Sequence, residues 1–180
     1  MRGYFGIGVE RISKEGNLGN LVRTAHGFGA DFVFTVAADR RVRGFDTDTS
    51  RTADHTPFYQ YERIEDLRLP EGCQLVGIEL LDEATDLPSF QHPLRAAYIL
   101  GPEKGVLSDA MRARCDHFIK IPTQFSLNVA TAGAIVMYDR LRCLGRFADR
   151  PVTPGGTARS RPEYRSGGRG PRSAKTEAAE

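Results

Sequence analysis

Five residues in this chain have the types and spacing to do chemistry, and they fall in three short blocks. Asn17 and Arg23 stand six apart in NLGNLVRTAHGFGADFVF, Glu103 follows Gly101-Pro102 in YILGPEKGVLSDA, and Ser126 and Asn128 straddle Leu127 in IPTQFSLNVATAGAIVMYDRLR. Amides, a guanidinium, a carboxylate and a hydroxyl offer donors, acceptors and charge of both signs. Arginine is no ready base, because a guanidinium stays protonated in proteins. Each block also has a plain structural reading. Asn17 suits a helix N-cap and Arg23 a surface charge, Glu103 an early helix charge after a tight turn, and Ser126 another N-cap. The residue three places after Ser126 is Val129, not the Glu or Gln of a capping box. Ser126 and Asn128 therefore either cap a helix or hold something.

Competing chemistries lose support. GIGVER and GFGADF both lack the third glycine of a dinucleotide fingerprint, and GPEKG is not closed by the G-K-[ST] of a phosphate loop. The histidines His26, His55, His92 and His117 have no ligand spacing, and neither G-x-S-x-G nor H-E-x-x-H occurs. Cys73, Cys115 and Cys143 are scattered without a C-x-x-C pair, which argues against a disulfide framework and a cysteine zinc site. No metal is expected, and a reducing cytoplasm is the expected home. The opening MRGYFGIGVERIS lacks a signal-peptide pattern, and no apolar run approaches the roughly 20 residues of a membrane helix. Net charge is +2 and uneven: residues 151–180 hold six basic and three acidic side chains, leaving the body at −1. Bulk charge thus gives the body no nucleic-acid footprint.

The elements that must position these residues are legible from apolar periodicity. Strands are expected at 4–9, 31–36, 74–79, 95–100 and 117–122, and helices at 17–28 and 126–146, with a further helical segment near 62–69. On the long helix Leu127, Ala130, Ala134, Tyr138 and Leu141 make one face, with Arg140, Arg142 and Arg146 at its C-terminal end favoured by the helix dipole. Strands alternating with helices imply an α/β fold with an open, mostly parallel sheet. Residues 1–149 form one domain. Residues 150–180, rich in Pro, Gly, Ser and Arg, are expected to be a disordered basic tail.

In this order and spacing the three blocks resemble the motifs of the SpoU/TrmH-type RNA ribose methyltransferases of the SPOUT superfamily. The matching residues are Asn17 to Arg23 with GFGADFVF, Leu100-Gly101-Pro102-Glu103, and Ile121-Pro122 with Ser126-Leu127-Asn128-Val129. The likeness covers roughly residues 1–147. Two departures stand out: only Thr123-Gln124-Phe125 separates Ile-Pro from Ser-Leu-Asn, and Gly105 comes one place early after Glu103.

The resemblance implies a C-terminal trefoil knot, a homodimer, and S-adenosylmethionine bound among the knot loops. Leu100, Gly101, Ile121, Leu127 and Ala130 would contact the cofactor, with Glu79 at the same pocket. It implies methyl transfer to a ribose 2′-hydroxyl of tRNA or rRNA. Arg23 would grip a phosphate or the attacking oxygen, and Asn17, Glu103, Ser126 and Asn128 would orient it. Tyr138, Leu141 and Leu144 are candidates for the dimer face, or plain core. The arginine-rich tail either adds a salt-sensitive grip on RNA or is inert. The alternative from another class is a non-catalytic RNA-binding protein on the same fold.

Overall fold

Short β-rich runs alternating with amphipathic ones produce seven strands and three α-helices among the residues described by the computed structural model, which are 3–42, 56–145, 147–148, 150–151 and 153–156. In chain order they are β1 (Tyr4–Glu10), α1 (Glu15–Gly27), β2 (Phe32–Val36), β3 (Phe58–Tyr61), β4 (Gln74–Ile78), β5 (Thr85–Asp86), β6 (Arg95–Leu100), α2 (Asp109–Arg112), β7 (His117–Lys120) and α3 (Val129–Leu144). The strands form one sheet in the order β3-β2-β1-β6-β4-β7-β5, and every pairing is parallel. These elements belong to a compact unit spanning Met1–Leu144; a second unit runs from Gly145 to Glu180. In the second unit Gly156 N donates to Thr153 O at 3.0 Å. Arg146 and nearly all of the expected tail lie outside the described residues.

β6 lies between β1 and β4 and is buried from Ala96 to Leu100, the unbroken apolar run of a strand covered on both faces. Its alternate residues feed two cores. Ala96, Tyr98 and Leu100 join Leu21 and Val22 of α1 and Val136 and Met137 of α3. Ala97 and Ile99 join Phe34, Leu107 and Met111 on the other side. Each fully buried Leu or Ile contributes about 1.5–3 kcal/mol.

Several sequence expectations are corrected. α1 begins at Glu15, so Asn17 is not its N-cap; Lys14 holds that position without a side-chain cap bond. α3 begins at Val129, and its cap is Asn128, whose Oδ1 accepts from Ala130 N at 2.9 Å and Thr131 N at 3.3 Å. Its buried face is Val129, Ala132, Gly133, Val136, Met137 and Arg140, with Ala130 beside it. Tyr138 is exposed, and Ala134 and Leu141 are half-buried. The expected helix near 62–69 is one 3-10 turn, Ile64–Asp66, pinned by the forked Arg63–Asp66 ion pair and stopped before Pro70. The short strands β3 and β5, and α2, were not expected. Among the described residues no helix is long and apolar enough to cross a membrane.

Arg140 is only 5% exposed, and its charge points inward. The guanidinium donates to the carbonyl oxygens of Pro93, Leu94 (2.9 Å) and Tyr4 (3.3 Å) and to the Tyr98 hydroxyl (3.2 Å). It also lies over the Phe5 ring, 5.1 Å from its centre. The arrangement fastens α3 to the starts of β1 and β6. His92, 2% exposed, extends the cluster through Tyr98 Oη at 2.6 Å and Asp139 Oδ2 at 3.0 Å. Burial holds the imidazole below its ordinary pKa against the pull of Asp139, and burial pushes the Tyr98 phenol up to about 12. Arg140→Met strips a charged donor from three carbonyls, so urea unfolding should show a loss of about 2–4 kcal/mol. Arg140→Lys should recover little, since one ammonium cannot reproduce the planar fork. A Met variant as stable as the parent would contradict this anchoring role.

Candidate active site

Parallel strands gather loops at their carboxyl edge, and there β4, β6 and β7 open into a cleft of about 380 Å³. Ile78, Leu80, Leu100, Ile121, Leu127 and Ala132 give it apolar walls. Lys14, Asn17, Glu79, Glu103, Lys120, Thr123, Ser126 and Asn128 add polar groups.

Glu103 joins the three sequence blocks. Its Oε1 accepts from Lys14 N at 3.0 Å and Asn17 Nδ2 at 3.1 Å, and its Oε2 from Ser13 N at 3.1 Å and Ser13 Oγ at 3.2 Å. The carboxylate therefore supplies the cap that α1 lacks locally, next to the positive end of the helix. Asn17 passes the connection on: its Oδ1 accepts from Asn128 Nδ2 at 3.0 Å. Asn128 then caps α3 through its own Oδ1. Burial raises the Glu103 pKa, but hydrogen bonds from its own backbone N–H, from Asn17 and from Ser13 outweigh it, so the carboxyl lies below its ordinary value.

Two further carboxylates shape the loop after β6. Glu79 Oε2 accepts from Leu107 N at 2.8 Å, and Glu10, fully buried at the end of β1, accepts from Ser108 N at 2.8 Å and Ser108 Oγ at 2.5 Å. Ser108 Oγ in turn accepts from Met111 N and caps α2. A side chain at position 101 would put its Cβ 3.2 Å from Leu107 N and 3.3 Å from Glu79 Oε2, a tight fit that favours Gly101 where this loop returns. Gly105 carries φ +101°, which accounts for a glycine one place early.

Asn17, Glu79, Leu100, Gly101, Glu103, Ile121, Ser126, Leu127 and Asn128 all line the one cleft. Ala130 does not: it is 7% exposed within the core, and Ala132 reaches the cleft instead. Helical spacing from Val129 explains this, since positions three apart share a face. Arg23 also lies outside the lining, exposed on α1 and roughly 9 Å of helical rise beyond Asn17. Sequence reasoning missed Lys14, Glu10, Lys120 and Thr123. Lys120 Nζ is held by the carbonyls of Leu81 and Asp82, both at 3.1 Å. Among the described residues no acceptor holds the Lys14 ammonium, which stands exposed at the cleft. No sequence signal distinguished either lysine from ordinary surface charge.

At the opposite edge of the sheet His92, Asp139 and Cys143 bring ligand-type atoms within 4.8 Å of one another. Both imidazole nitrogens are already engaged, and the neighbouring Arg140 charge opposes a cation. That cluster is a tie between α3 and the sheet.

A family model described as the SpoU rRNA Methylase family matches residues 5–138. The chain belongs to that family. A protein of Staphylococcus haemolyticus named for the TrmH family of tRNA/rRNA methyltransferases is 30% identical over 138 residues, 70% of this chain and 53% of that protein. The 23S rRNA (uridine(2479)-2′-O)-methyltransferase of Streptomyces viridochromogenes is 25% identical over 168 residues, 82% of this chain and 56% of that enzyme. This SpoU-family chain thus spans about half the length of the curated relatives it matches. The crystal structure of an AdoMet-bound rRNA methyltransferase from Sinorhizobium meliloti superposes with a TM-score of 0.69 at 22% identity, covering 80% of this chain and 58% of that one. At that identity the likeness carries the fold alone.

The Glu103 ties have a defined pH dependence. A carboxyl whose folded pKa lies below its ordinary 4.5 stabilises the fold fully above that value and ceases to do so as the pH falls through the lowered folded value. Glu103→Gln replaces one acceptor oxygen with an amide donor, which would face either the Ser13 N–H or the Lys14 N–H. Unfolding free energy at pH 7 should fall by about 1–2 kcal/mol. As the pH falls below 4.5 the parent should lose stability more steeply than the variant. Parallel profiles through that range would remove Glu103 as the tie.

Proposed function

We propose that this SpoU-family chain transfers a methyl group from S-adenosylmethionine to a ribose 2′-hydroxyl of structured RNA, either tRNA or rRNA. The observation that carries the reading is the Glu103–Asn17–Asn128 network, which closes a cleft at the carboxyl edge of the sheet with residues from all three motif blocks. The proposal includes a C-terminal trefoil knot through the loops after β6 and β7, a homodimer, and a cytoplasmic setting in which Cys73, Cys115 and Cys143 stay free. The methyltransferase domain is taken as residues 1–149. The bound AdoMet of the Sinorhizobium structure and the 2′-O specificity of the Streptomyces enzyme agree with the reading.

The cleft residues fit the cofactor. Leu100, Ile121 and Leu127 offer apolar surface to an adenine, Ala132 replaces Ala130 in that wall, and Gly101 keeps the backbone free of a side chain where the loop turns. Glu79 holds the loop rather than offering a free carboxylate. When bound, S-adenosylmethionine supplies a methyl group already activated on a sulfonium sulfur, so the protein's task is alignment and charge stabilisation. Lys14 meets a phosphate of the RNA at the mouth of the cleft. Ser126 hydrogen-bonds the incoming ribose, and Asn17 and Asn128 hold the edges between which it fits. Glu103 is too heavily hydrogen-bonded, and too acidic, to serve as the base. The hydroxyl proton leaves to water while a guanidinium stabilises the developing negative charge.

That guanidinium is Arg23. Its place outside the lining of its own protomer's cleft suits a dimer in which it completes the partner's site. Tyr138, Leu141 and Leu144 are the proposed contact face. Incubation with methyl-labelled S-adenosylmethionine and unmodified tRNA or rRNA should place the label on ribose, in dinucleotides that resist alkali because the 2′-oxygen is blocked. Label on a base would overturn the ribose assignment, and RNA binding without transfer would favour a non-catalytic RNA-binding protein. Arg23→Ala should reduce transfer at least about 100-fold while cofactor affinity stays within about twofold. Lost cofactor binding in that variant would refute the role given to Arg23.

A further inference from the structure

Phe125 is the most exposed of the large apolar side chains described, at 74%. A lone exposed aromatic is usually unremarkable. The backbone that carries this one is held in place. Thr123 Oγ1 donates to Phe125 O at 2.8 Å and Thr123 N to Ile121 O at 2.8 Å, so the three-residue loop is folded on itself. Thr123 and Ser126, on either side, both line the cleft, whereas the Phe125 ring does not. Phe125 thus stands in the chain between two residues of the cleft lining, Ser126 being its immediate neighbour. Lys14 offers a cation at the same cleft.

We infer that Phe125 is the platform on which the base of the target nucleotide stacks while its ribose enters the cleft. An aromatic face next to a cation is the pairing that grips single-stranded nucleic acid, the ring taking a base and the charge a phosphate. The ring's neighbours favour a base over a second copy of this chain: Thr123, Gln124, Ser126 and Asn128 are polar and exposed, whereas the centre of a protein interface is continuous apolar surface. Stacking is indifferent to base identity, so Phe125 would demand an unstacked nucleotide, such as one in a loop, without choosing its base. The inference rests on the methyltransferase reading above, and the measurements separate the two.

Three variants suffice. Phe125→Ala should lower kcat/KM for RNA roughly 5- to 150-fold, mainly through KM. Its calorimetric affinity for S-adenosylmethionine and its mass by light scattering should be unchanged. Phe125→Leu, apolar but not aromatic, should be as impaired as the alanine variant, and Phe125→Trp should keep the parental rate. The chain has no tryptophan, so Phe125→Trp also places a single fluorophore at the mouth. Its emission should be quenched by hexauridylate and not by an abasic ribose-phosphate oligomer of the same length. A leucine variant with parental kinetics, equal quenching by both oligomers, or a changed mass for the alanine variant would overturn the inference. Quenching by hexauridylate alone in a protein that methylates no RNA would instead remove the methyltransferase reading and leave the stacking platform standing.

Discussion

The carboxylate of Glu103 is the constraint on which the site depends. It links the loop after β6 to the start of α1, 86 residues away from Asn17 in sequence, and Asn17 links onward to Asn128 across 111 residues. No one of these segments has the arrangement alone. α1 lacks a side-chain cap of its own, and the loop after β6 has no regular structure until α2. Glu103 resolves both needs by accepting N–H groups that the helix start would otherwise leave to water. Its oxygens accept four hydrogen bonds beyond its own residue, a density that keeps the carboxylate charged and locates it tightly.

The same logic extends outward from that centre. Glu79 and Glu10, each at the end of a strand, hold Leu107 and Ser108, so three carboxylates from three places in the chain shape one loop. α3 is fixed at both ends. Asn128 ties its first turn to the cleft, and Arg140 ties its last turns to the starts of β1 and β6. A helix clamped this way is a strut between the two edges of the sheet. Preorganisation of this kind suits the proposed methyl transfer, whose leaving group would arrive already activated, so that the protein would mainly hold oxygen and methyl in line.

Much of this was legible in the sequence, for identifiable reasons. Asn17, Glu103 and Asn128 are each unremarkable alone, and only their order and spacing, through the likeness to SpoU/TrmH-type motifs, singled them out. β6 and α3 were legible from runs of Ala, Ile, Leu and Val. The buried face of α3 was not, because Arg140 reads as a dipole-favoured surface charge, and only Tyr98 and the strand-start carbonyls make its burial affordable. β3 and β5 escaped notice because four and two residues such as Tyr59-Gln60 and Thr85-Asp86 have no apolar alternation; pairing with β2 and β7 makes them strands. Glu10 was hidden as the polar end of a strand, and Lys14 as one more charge. Ala130 was placed at the cofactor by the resemblance alone; α3 buries it, and Ala132 lines the cleft.

The cleft knitted together by Glu103, Asn17 and Asn128 is the proposed cofactor site. Calorimetric titration of the purified protein with S-adenosylmethionine, and with its demethylated product S-adenosylhomocysteine, tests it most directly. Both should bind saturably at one site per chain, with dissociation constants in the micromolar range. Absence of heat for either ligand, in protein shown by unfolding to be native and with hexauridylate present as well as absent, would contradict it.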